Sequence, residues 1–376
     1  MPIVANLKDL KSTIISRHVR PDNGKGLSQV LTTLLPLAAL WYGAVLSADV
    51  SYWLTACIMA VMSLFLLRVF VLMHECGHRS MFRTSRLNKT FGFIFGVVSG
   101  MPQHVWSQRH LQHHSTNGNW AQYRGPLNII PADEYGAMTA RQQRQYRNAR
   151  NIWLAPLAGF LYLVFNPRVN WLKGSAGLVR HLVKRKIAQP GVSLKAHAQD
   201  FKTPCWSSAA EYWHMFWNNI ALIGLWVLMA WAAGATLFLV CHTVSVSLAG
   251  GAGILLFTVQ HNFEHSYASH DEGWDYNRAA LEGTSFLVLP RWLNWLTANI
   301  AYHHIHHLSA RIPNYCLVAC HKEYVHLFAG VTRIRLTQIP HALKCILWDT
   351  RARRIMSVAE YQQQTDKSPA ATAASL

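Results

Sequence analysis

Residues 53–78 read WLTACIMAVMSLFLLRVFVLMHECGH, and this stretch decides the fold. From Trp53 to Met73 the only charged side chain is Arg68, and a helix crosses the hydrocarbon core with about 20 apolar residues. The run ends on His74 and His78, four apart and so on one helical face. The first expectation is therefore an apolar span that delivers two imidazoles to its end. Arg68 lies near that end and is expected to snorkel to the interface.

Working outward, Leu27–Leu46 contains no Asp, Glu, Lys or Arg, and neither does Tyr212–Phe263. The latter is long enough for two spans hinged near Gly234. The expectation is an all-α, polytopic membrane protein with four transmembrane helices (27–46, 53–73, 217–234 and 236–259) in two hairpins. The apolar stretches Phe91–Met101 and Trp153–Phe165 are too short to span and read as interfacial or buried. Residues 1–361 form one domain, and the polar, Ala/Ser-rich 362–376 are expected to be disordered. Composition agrees with a membrane protein: 51 % of the 376 residues are hydrophobic and 14 % charged, where soluble domains carry about 25 %.

Charge gives an orientation. The connections at 47–52 and near 234 carry no Lys or Arg, whereas residues 103–213 carry 14 and both termini are basic. Basic loops stay in the cytoplasm, so both termini and the middle segment are expected there, forming a helical cap. The net charge of +18 calls for an anionic partner: nucleic acid, a lipid leaflet or an acidic electron carrier. Given the spans, no nucleic acid is expected. Seven cysteines without a CxxC pair fit a reducing compartment. The first 26 residues lack the apolar core of a signal peptide, so the first span is expected to be an uncleaved anchor.

Histidines then define the chemistry. Beyond His74 and His78 they cluster as His110-Leu-Gln-His113-His114, as Gln260-His261-Asn-Phe-Glu264-His265 and as His303-His304-Ile-His306-His307. At i, i+3 and i+4 imidazoles share a helical face and can chelate Fe, Zn or Cu. Eight or nine ligands are too many for one ion, so two metals are implied. HECGH is also a literal H-E-x-x-H, the zinc protease signature with Glu75 as base. That reading leaves both HxxHH clusters unexplained and places Gly77 inside a helix. A non-catalytic metal carrier would call for acidic and Met ligands along a conduit, and the spans offer little of either.

HECGH, HLQHH and HHIHH, in this order, resemble the three histidine boxes of integral-membrane fatty acid desaturases and related hydroxylases. Tyr302–Tyr315 and Val259–His265 are similar to the bacterial acyl-lipid branch, of Δ12/ω-6 type. The resemblance covers about Val71 to Tyr315. It implies a di-iron centre ligated by His74, His78, His110, His113, His114, His303, His306 and His307. It implies a further ligand from the end of the fourth span, His261 or His265, with His261 favoured. His304 is not required by the pattern. Gln260, Glu264 and Asn299 are candidates to orient ligands by bonding the imidazole nitrogen that faces away from the metal. The implied activity is O2-dependent introduction of a cis double bond into a lipid acyl chain, or hydroxylation of such a chain, at a bacterial inner membrane.

Desaturation attacks an unactivated methylene pair, so a redox metal and O2 must supply the oxidant; zinc has no redox chemistry. The sequence has no dinucleotide fingerprint, no iron–sulfur cysteine pattern and no haem CxxCH. Electrons are therefore expected from a separate protein, a ferredoxin or cytochrome b5-like carrier, and an acidic one suits this basic chain. Lys184-Arg185-Lys186 can dock such a donor or lipid headgroups, or serve as a solvated anchor. Impermeant labelling of single-cysteine variants should reach positions 47–52 and 234 from the outer face and both termini from the cytoplasmic face. A terminus labelled from outside overturns the four-span topology.

Overall fold

The computed structural model describes residues 11–122, 129–269 and 271–366. Its long helices begin where a side chain can take the first free N–H groups. Asp22 accepts from Lys25 N–H at 2.8 Å to start α1 (Asn23–Ala48), and Ser51 caps α2 (Tyr52–Gly77). The two form a hairpin, and Ser47 Oγ meets Thr55 Oγ1 at 2.8 Å across its bend. Two shorter helices follow, α3 (Ser85–Ser99) and α4 (Gln103–Thr116), and then one helical run, α5 (Ile152–Ala188). The second hairpin is α6 (Ala209–Ala233) and α7 (Ala235–His261), hinged at Gly234, whose φ of +82° a side chain would resist.

Five helices among the described residues are long and apolar enough to cross a membrane: α1, α2, α5, α6 and α7. The fifth, α5, corrects the expectation that Trp153–Phe165 stops short. Pro167 does not end the helix: the chain winds through a π-turn at Leu161–Phe165, and Pro167 falls in the first turn of the next segment. Arg168 Nη1 donates to the carbonyls of Gly100, Leu163 and Val164, and its Nη2 donates to Asn218 Oδ1 at 2.9 Å. One guanidinium thus satisfies acceptors where the regular helical bonding is interrupted. By contrast α3 is not among the five; it lays Phe95 and Gly92 into the core beside α2.

Arg68 does not snorkel. It is buried, with Nε donating to Thr33 Oγ1 at 2.9 Å, Nη1 to the Trp295 carbonyl and its guanidinium 4.0 Å from the Trp295 ring centroid. A charge inside a bundle needs such partners, and the sequence of α2 alone cannot reveal them.

The chain is mostly helical, with two small sheets that the all-α expectation lacked. β1 (Ile130–Pro131) runs parallel to β4 (Cys345–Asp349), which pairs antiparallel with β5 (Arg354–Ser357). β2 (Phe286–Val288) pairs parallel with β3 (Arg333–Arg335). Strands of two to five residues are too short to imprint a period-two pattern. The expected tail from 362 begins inside a final helix, Val358–Asp366; residues 367–376 lie outside the described ones.

Small residues set a close helix contact between α5 and α7. Gly159 of α5 meets Gly250 and Gly251 of α7 so tightly that a Cβ on Gly159 would lie 2.4 Å from the Gly250 carbonyl carbon. Van der Waals contact of this kind holds membrane helices together without a hydrophobic driving force. Gly159→Val should cost about 1–3 kcal/mol through overpacking, read as a lower melting temperature in detergent. Gly224→Val, with nothing within 4 Å of its Cβ, should leave melting unchanged; equal losses in both would sink the packing argument.

Candidate metal centre

Four elements bring their histidines to one place. α2 ends with His74 and is capped by His78, α4 carries His110, His113 and His114, α7 ends on His261, and α8 (His303–Leu308) carries the last three. Gly77 has a reason to be glycine: a Cβ there would lie 2.3 Å from Ser107 Oγ, so α4 can approach α2 only if it is absent. α8 is reached through Ala298 and Asn299, both left-handed at φ 47° and 59°, a strained approach that the surroundings must hold.

The rings sort into two groups. His74, His78, His110, His114 and His306 form one; His113, His261, His303 and His307 form the other; within each, one ligand atom per residue lies within 4.8 Å of all the rest. Neither HxxHH cluster is a triple chelate. Each i, i+4 pair (His110 with His114, His303 with His307) serves one group, and the intervening i+3 member (His113, His306) reaches across to the other. The two groups are thereby stitched together.

The Nε2 atoms meet in series. His78 to His74 is 3.2 Å, His74 to His110 2.9 Å, His110 to His114 2.9 Å and His114 to His306 3.1 Å. In the second group His113 to His261 is 3.2 Å and His261 to His303 2.9 Å. An imidazole nitrogen has a single in-plane site, either N–H or lone pair, so His74, His110, His114 and His261 cannot hydrogen-bond both neighbours. A cation accepting every lone pair resolves this, since neighbouring ligands about a metal with bonds of about 2.0–2.1 Å sit ~3 Å apart. His307 Nε2 is likewise buried without a hydrogen-bond partner. Burial pushes His110, His113, His114, His303, His306 and His307 well below the ordinary histidine range, which keeps the rings neutral and able to ligate. The residues fit a pair of metal ions.

A cavity of about 700 Å³ touches both groups through His74, His110, His113 and His303. Leu66, Phe70, Leu163, Val246 and Phe257 are among its apolar walls, and the exposed Arg109, Asn148 and Asn151 also line it.

The fatty acid desaturase family model matches residues 48–336. The chain belongs to the fatty acid desaturase family. It is 32 % identical over 344 residues to a Bacillus subtilis fatty acid desaturase, covering 91 % of this chain and 88 % of that one. A chloroplastic omega-6 fatty acid desaturase from Brassica napus is 23 % identical, covering 86 % of this chain and 65 % of its own. An sn-1 oleoyl-lipid 12-desaturase from Picosynechococcus is 27 % identical, covering 66 % and 62 %.

The desaturase brings nine of the ten expected ligand histidines into the two groups and leaves His265 out, its side chain 74 % exposed. The three expected orienting residues bond elsewhere. Gln260 Nε2 donates to the Ile300 carbonyl at 2.9 Å, Asn299 Nδ2 to the Asn314 carbonyl at 3.1 Å, and Glu264 pairs with Arg354 at 2.9 Å. Glu75 is not placed as a protease base. It is fully buried, its Oε2 accepts from Ser80 Oγ and Asn314 N–H, and its Oε1 lies 3.1 Å from His74 Nδ1, the nitrogen remote from the cluster. Such a carboxylate positions a ligand from behind. Trp106, stacked on His110 at 4.4 Å, was legible as the residue one turn before it; His321, which meets His304, carried no signal. His261→Ala should lower bound metal from about two ions per chain toward one, by elemental analysis of purified protein, and His265→Ala should leave it unchanged. The reverse would return the ligand to His265.

Proposed function

We propose that this desaturase introduces a cis double bond into the acyl chain of a membrane lipid, with two iron ions held by the nine grouped histidines. The cavity carries the reading: it joins both histidine groups to apolar walls within the helix bundle. From Gln260 back to Val246 it follows α7 for about 21 Å of helix rise, a length suited to an extended acyl tail. When bound, iron with O2 supplies the oxidant that removes two hydrogens from an unactivated methylene pair.

The protein's own residues do the rest. Leu66, Phe70 and Val246 strip water from the tail and hold it extended. Trp106 and Phe257 pack on His110, His113 and His261, which fixes the rings and bars water beside the chain. The neutral imidazoles hold the metals without cancelling their charge. Arg109, Asn148 and Asn151 supply the polar end that a headgroup needs. The basic middle segment, with 14 Lys and Arg between residues 103 and 213, supports a site at the cytoplasmic face of a bacterial inner membrane.

Expression with a competent donor should give a fatty acid methyl ester two mass units lighter than its precursor, by gas chromatography–mass spectrometry. Ala249→Phe, which fills the cavity, should abolish that product on the natural chain length while both irons stay bound. A product sixteen units heavier would make the enzyme a hydroxylase, and no change in any lipid class would sink the acyl-chain assignment.

A further inference from the structure

His304 is the one histidine of its cluster that neither metal group uses. It is completely buried, yet its Nε2 lies 3.1 Å from His321 Nδ1. His321, on α9 (Asn314–Glu323), is half-buried. Around the pair, Phe286 stands 5.8 Å from the His304 ring and 4.8 Å from the His321 ring, and Phe328 stacks on His321 at 5.9 Å and 9°. A continuous aromatic column therefore leads from the residue next to the metal-group member His303 out to the surface.

The surface at that point is basic. Arg333 and Arg335 alternate with the buried Ile334 along β3, so both face outward, and Lys322 is exposed beside His321. The neighbouring Glu323 carboxylate is already engaged by Arg17 at 2.9 Å and His18 at 3.2 Å. The other basic run is mostly occupied. Arg185 pairs with Asp200 at 3.2 Å, and Lys186 donates to the Pro190 and Val192 carbonyls at 2.6 and 3.1 Å, closing the end of α5.

We propose that a small acidic one-electron carrier protein docks on Lys322, Arg333 and Arg335, and that His321 and His304 conduct its electron toward His303. The inference rests on the oxidative reading of the metal centre. Per turnover the acyl chain gives up two hydrogens, the carrier gives up two electrons in two encounters, and O2 takes these with two protons and leaves as two waters. His304 and His321 act as positioning residues for the transfer and touch no substrate.

The test uses the full chain in phospholipid nanodiscs and an oxidised plant-type [2Fe–2S] ferredoxin as probe, with binding measured by surface plasmon resonance. Arg333→Glu with Arg335→Glu should weaken binding roughly tenfold or more and flatten its salt dependence, whereas Lys184→Glu with Lys186→Glu should leave both unchanged. The opposite pattern, or no binding by the unaltered protein, overturns the docking face. His321→Leu should retain ferredoxin affinity and iron content while the oxidation of bound, reduced ferredoxin slows at least tenfold in stopped flow. Because His321 is not a member of either metal group, an unchanged rate overturns the route; His304→Gln, scored against its own iron content, repeats that test. A protein that desaturates normally with both charge reversals in place refutes this inference alone; one that never oxidises an acyl chain refutes the function beneath it.

Discussion

Eight neutral imidazoles turned nitrogen-to-nitrogen at about 3 Å, with His307 beside them as the ninth of the two groups, cannot satisfy one another, and this constraint organises the molecule. Each ring offers one in-plane site toward its neighbours, so the clusters are suited to cations that take the lone pairs. Much of the surrounding structure holds the rings in register. Glu75 stands behind His74, Trp106 and Phe257 pack on the faces of their neighbours, and Tyr276 donates to the His307 carbonyl at 2.7 Å. Binding energy that would otherwise be lost to ordering is thus committed in the fold.

The same constraint explains why the helices must approach so closely. Rings from four elements meet only if α4 lies against α2, which the missing Cβ of Gly77 permits; α5, which carries none of the rings, lies as closely against α7 at Gly159 and Gly250. Gly159 and Gly250 of the second seam themselves border the apolar cavity that reaches both groups.

Several polar groups buried in the bundle are paired with partners remote in sequence. Arg68 reaches Thr33 and Trp295, Arg168 reaches Gly100 and Asn218, and Asn314 links Glu75 to Gln29. In a membrane such groups are costly unless satisfied, so these bonds lock the helix ends beneath the metal groups and limit how far the histidines can drift.

The sequence by itself determined four of the five long apolar helices, the Gly234 hinge and the histidine clusters that converge, because apolar length and helical period are local properties. The resemblance to the family also favoured His261 over His265 as the ligand from the end of a span. The sequence did not determine that each HxxHH cluster divides between two groups, that Glu75 stands behind His74, or that Gln260, Glu264 and Asn299 bond elsewhere. Nor did it foresee that α5 continues through Pro167, that Arg68 is buried, or that His304 finds His321. Those outcomes depend on which surfaces of remote segments come into contact, on distances of a few ångströms set by glycine seams and left-handed residues. Local pattern carries no information about such distances, and only the tertiary structure decides them.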